Sequence, residues 1–98
     1  MDWSGFPQVI ASLRQAAGGN LRARVRALKE ADRLVGRRLH ELTGHGHFVR
    51  YTGSEPAEET LVALADQLEQ LTAIVGEREA VDALRLLHVH LHGSIPDQ

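Results

Sequence analysis

Asn20-Leu21-Arg22-Ala23-Arg24-Val25-Arg26-Ala27-Leu28-Lys29-Glu30-Ala31-Asp32-Arg33-Leu34-Val35-Gly36-Arg37-Arg38-Leu39-His40-Glu41-Leu42-Thr43-Gly44 is the stretch on which the fold class turns. Leu21, Val25, Leu28, Val35, Leu39 and Leu42 recur at alternating steps of four and three, with Asp32 at the one seam position lacking an apolar side chain. That period places them on one face of an α-helix and is incompatible with a strand. Asn20 suits the N-cap, where its side-chain oxygen can accept an orphan first-turn amide, and Gly44 suits the left-handed residue that ends a helix. Gly36 weakens the interior by up to ~1 kcal/mol relative to alanine. A helix is therefore expected over 21–43.

Working upstream, Gly5-Phe6-Pro7 precedes a short periodic run, Val9, Ile10 and Leu13, that stops at Gly18-Gly19. Proline is tolerated in a first helical turn, where its missing N–H has no partner to lose. Working downstream, residues 44–53 lack helical character and read as an irregular loop, although His47-Phe48-Val49-Arg50-Tyr51 has strand-like composition. A third helix is expected over about 55–75, its early Glu55, Glu58 and Glu59 matching the positive end of the helix dipole. Its seam is Leu61, Leu64, Leu68, Leu71 and Val75. A fourth is expected over about 77–92, with Val81, Leu84, Leu87 or His88, and Leu91 inward. Its tail, Leu87 to His92, also fits a period of two; helix is preferred because the pattern continues unbroken from Ala80 and no second strand is evident. The expectation is an all-α, small up-down helical bundle in a single domain, residues 1–98, with Trp3 and Phe6 covering one end or an interface.

Composition agrees. Of 98 residues 43% are hydrophobic and 24% charged, which is globular rather than disordered. Only Trp3, Phe6, Phe48 and Tyr51 are aromatic, so the core must be aliphatic. With no cysteine, disulfides, thiolate metal sites and cysteine nucleophiles are excluded, and a cytoplasmic location is expected. No apolar run approaches the ~20 residues of a membrane span, so no membrane association is expected.

Seven of the eleven Lys and Arg residues fall within 21–43, and Arg22, Arg26, Lys29, Arg33 and Arg37 form a stripe beside the seam. Between Ser54 and Asp82 stand eight acids and one base, Arg78. The preferred reading is complementary charge between helices, within the fold or across a dimer. A phosphate-binding stripe is the alternative. It is disfavoured because no aromatic, Asn or Gln readers interleave it and the acidic helices would repel a nucleic-acid backbone, so nucleic acid is not an expected partner.

The six histidines form two clusters, His40, His45, His47 and His88, His90, His92. If consecutive helices reverse direction, the ends of the second and fourth helices share one pole of the bundle. His40, His45, His47, His88 and His92 would then be candidate ligands for a Zn, Ni or Fe ion, His88 and His92 lying four apart on one face. The preferred reading is a structural one, polar and dipole-compatible residues at helix C-termini; a pH-responsive interface is a third reading. On a helix His90 would point away from His88 and His92.

His40-Glu41-Leu42-Thr43-Gly44-His45-Gly46 resembles the His-Glu-x-x-x-His zinc motif of the dipeptidyl-peptidase III family. The resemblance implies His40 and His45 as ligands and Glu41 as general base. It covers seven residues, and those peptidases are large two-lobed enzymes whose cleft a chain of this length cannot build. No serine elbow, phosphate loop or dinucleotide fingerprint is present, so an enzyme is not the preferred reading.

The leading functional expectation is a non-enzymatic interaction module, an accessory or regulatory subunit that homodimerises or binds a larger protein. Its expected contact residues are Val25, Leu28, Val35 and Leu39 of the seam, with Leu86 and Val89 on the outer side of the fourth helix. A metal-binding helical domain and a nucleic-acid binder are the alternatives.

Overall fold

Local signals at the helix ends take effect as expected. Asn20 Oδ1 accepts the Ala23 amide at 2.9 Å. Gly44 takes the left-handed conformation, φ 73°, and its N–H reaches the His40 carbonyl at 2.8 Å. Between them runs α2 (Leu21–Thr43), flanked by α1 (Phe6–Ala17), α3 (Glu58–Leu71) and α4 (Glu77–Leu91). The computed structural model describes residues 1–44 and 56–91, apart from the side chain of His90. Over those residues the chain is an all-α helical bundle, and its last helix continues unbroken from Glu77 to Leu91, across the described part of the segment whose pattern was also strand-like. The expected loop at 44–53 lies, past Gly44, outside the described residues.

The aliphatic periodicity becomes one core. Phe6, Ile10 and Leu13 from α1, Leu28, Val35 and Leu39 from α2, Leu61, Leu64 and Leu68 from α3, and Leu84 and Leu87 from α4 form a continuous buried cluster. Phe6, Leu13, Val35, Leu61, Leu68 and Leu84 have no solvent exposure. Of the two aromatics expected to cover one end or belong to an interface, Phe6 is part of this core and Trp3, partly buried, packs against it. Their rings meet edge to face at 5.1 Å, and the indole N–H donates to the Ile74 carbonyl at 2.8 Å. Val75 departs from its expected place in the third seam and is 83% exposed. The helix stops at Leu71, so the residues beyond no longer follow its 100° step, and Ile74 packs against the core instead.

The short helix is central rather than peripheral. α1 packs on both α2 and α3, and α2 packs on α4, whereas α2 and α3 barely touch. Gly19 permits the tight turn from α1 to α2, since a Cβ there would lie 3.3 Å from both the Ala16 carbonyl oxygen and the Ala23 methyl. Named contacts fix the directions. Arg14 reaches Asp66 and Glu69 while Trp3 reaches Ile74, so α1 and α3 are antiparallel. Arg38 reaches Asp2 and Ser4, so α1 and α2 are antiparallel as well. It follows that α2 and α3 run the same way. His88 faces Asp32 while Leu91 shares a groove with Leu28, so α4 opposes α2. Chain reversal thus holds from α1 to α2 and from α3 to α4. Across the fourteen residues 44–57 the direction is kept, a span whose extended reach (~46 Å) exceeds the ~35 Å length of α2.

Candidate functional site

That geometry separates the histidine clusters. His88 is buried between α2 and α4, its Nδ1 3.8 Å from Asp32 Oδ1. Asp32, the polar break in the α2 seam, therefore faces a polar side chain on α4. His40 lies eight residues further along α2, about 12 Å on at the helical rise, and is exposed on the outer face. The expected convergence required α2 and α4 to end at the same pole; because α2 and α3 are parallel, they end at opposite poles. No group of three or more potential metal ligands exists among the described residues. His45, His47 and His92 lie outside them. Glu41, the base implied by the peptidase resemblance, is instead engaged by Arg38 Nε at 3.3 Å.

The expected partner-binding residues divide. Leu28, Val35 and Leu39 are buried in the chain's own core and Val25 is half-buried. Leu86 and Val89 are 74% and 50% exposed. They flank a groove of about 560 Å³ between α3 and α4, whose floor and walls include Leu71, Ile74, Ala83 and Leu87, with Gln67 and Gln70 on its α3 side. The groove exists because α3 and α4 touch only sparingly, α4 being held mainly by α2. Sequence reasoning identified the exposed ridge, but Ile74 and Ala83 became part of a surface only through the way α3 ends and α4 begins.

The basic residues also divide. Arg22, Arg26, Lys29, Arg33 and Arg37 are all exposed on the face of α2 opposite the core. None of the five makes an ion pair among the described residues. Of the acids in α3, Asp66 and Glu69 both pair with Arg14 of α1, at 3.2 and 2.7 Å. Their proximity keeps the Arg14 guanidinium above its ordinary pKa, the Glu69 contact contributing most. α1 lies between α2 and α3, which is why its arginine reaches these acids and the stripe does not.

No helix among the described residues is long and apolar enough to cross a membrane. Comparison with protein-family models, with curated protein sequences and with solved structures finds no match. The functional reading therefore rests on the chemistry of these surfaces.

Proposed function

We propose that this chain is a non-enzymatic interaction module that self-associates through the α3–α4 groove. The observation that carries the reading is the adjoining of ridge and groove in one patch: Leu86 and Val89 project from the rim of the hollow that Leu71, Ile74 and Ala83 line. A two-fold interface requires a surface that complements itself, and a ridge beside a matching hollow meets that requirement. The neighbouring polar groups, Gln67 and Gln70, are uncharged, so pairing the patch with a copy of itself opposes no like charges at its centre. Burying exposed Leu and Val side chains contributes ~1.5–3 kcal/mol each when complete, and a dimer doubles every such contact.

Sedimentation of the purified chain against Leu86→Glu tests this. Wild type should sediment as a dimer and Leu86→Glu as a monomer with an unchanged melting curve, since position 86 supports nothing within one copy. A wild-type chain that remains monomeric at high concentration, or a variant that dimerises equally well, rules out this surface; a larger protein captured on the same patch would replace the second copy as occupant.

A further inference from the structure

The outer face of α2 lies apart from that groove and carries a chemistry of its own. Arg22, Arg26, Lys29, Arg33 and Arg37 follow at steps of four, three, four and four residues, one helical turn at a time. At 1.5 Å per residue they form a line of about 22 Å with charges every ~4.5–6 Å. All five are exposed, and no described acid pairs with them. Glu30 lies on the edge of the same face, so the row retains a strong positive excess. We propose that this face binds the phosphate backbone of duplex nucleic acid without reading its sequence.

Three observations favour that occupant. The line is straight and its charges repeat on the scale of successive phosphates, and four of the five are arginines, whose planar fork suits phosphate oxygens. No aromatic, Asn or Gln side chain stands in the row, so it has neither a platform for stacking single-stranded bases nor the usual adenine readers. The apolar face of α2 is occupied by the core, through Ala27, Leu28, Ala31, Val35 and Leu39, and the one large apolar side chain that α2 exposes, Leu21, stands alone in its first turn, too little to anchor the helix in a lipid surface. The same lack of an apolar anchor on the outer face argues against an acidic protein, whose docking would need a desolvated centre.

Fluorescence anisotropy with a short labelled DNA duplex of mixed sequence, titrated over ~50 to ~200 mM salt, decides the matter. Engagement of three or four phosphates gives a log–log salt slope of about −3 to −4. The double variant Arg26→Gln/Arg33→Gln should flatten that slope by about 2, since each lost phosphate contact removes ~0.9. Arg78→Gln/Arg85→Gln, on exposed positions of α4, should leave it unchanged. Glutamine keeps helix propensity at these exposed sites, and circular dichroism checks that both variants fold. Both should sediment as wild type does, which separates failure here from failure of the self-association. Absence of salt-sensitive binding, equal binding by the stripe variant, or stronger retention on polyglutamate or anionic vesicles than on duplex would overturn the proposal.

Discussion

At the scale of single residues, the contacts that matter most join parts of the chain that sequence keeps far apart. The Arg38 guanidinium, with its side chain only 12% exposed, donates to the carbonyls of Asp2 and Ser4 and lies 5.9 Å from the Phe6 ring centroid. Arg38→Ala should lower stability by ~1–2 kcal/mol through the lost hydrogen bonds and cation–π contact, and Arg38→Lys should recover only part, because an ammonium cannot span two carbonyls as a fork does. Chemical denaturation of the three proteins measures both. Asp2 itself is held below the ordinary carboxyl pKa, mainly by the Ser4 hydroxyl and also by the Ser4 amide, which donate to Oδ1 at 2.5 and 2.9 Å. A group whose folded pKa is depressed stabilises fully above its unfolded value and loses that contribution as pH falls through the folded one. Melting temperatures of wild type and Asp2→Asn should therefore differ by a constant amount down to pH ~4 and converge below it. For the Asp32–His88 pair, single alanine variants should each cost ~1–3 kcal/mol, and the double variant should cost less than their sum, because it leaves no buried polar group without its counterpart.

At the scale of elements, three caps distinguish a well-specified helix from a poorly specified one. α2 begins on Asn20 and ends on a left-handed Gly44, whereas α3 begins on Ala57, extended but with no side chain to accept a first-turn amide. Asn20→Ala should cost ~1 kcal/mol and Ala57→Ser should contribute a similar stabilisation, both read as shifts in melting temperature. Failure of Ala57→Ser to stabilise would mean that the α3 amides are already satisfied by other means. Helix identity and the bounds of α2 were legible because cap, glycine stop and apolar period coincide there, and α4 starts at Glu77 as expected, directly after Gly76. The end of α3 was not: Val75 extends the four-three pattern, yet the helix ends at Leu71, and the Trp3 hydrogen bond to the Ile74 carbonyl depends on that early stop. A residue seventy-one positions away leaves no mark in the local pattern.

At the scale of the molecule, Leu84 and Leu86 show what assembly adds. Both stand two residues apart on α4; one is fully buried and the other 74% exposed. Leu84→Ala should cost ~2–5 kcal/mol by opening a cavity. Leu86→Ala, measured below the dimerisation concentration, should lie within ~0.5 kcal/mol of wild type. If the two losses were equal, the α3–α4 groove would be filled within one copy, and the proposed interface would fall with it. The arginine stripe was visible in the sequence as a pattern, but its availability depends on α1 lying between α2 and α3 so that Arg14 holds Asp66 and Glu69.

Sequence alone determined that the described residues are helical, where α2 lies and α4 starts, and most of the residues that face inward, because hydrogen-bonded turns, caps and apolar period act over a few neighbouring positions. Tertiary structure decided that α1 is the central helix, that α2 and α3 run parallel, and hence that His40 and His88 stand apart. Those outcomes depend on packing between distant faces of helices that fourteen residues of chain, 44–57, keep apart in sequence. No local periodicity records which way a long connection returns.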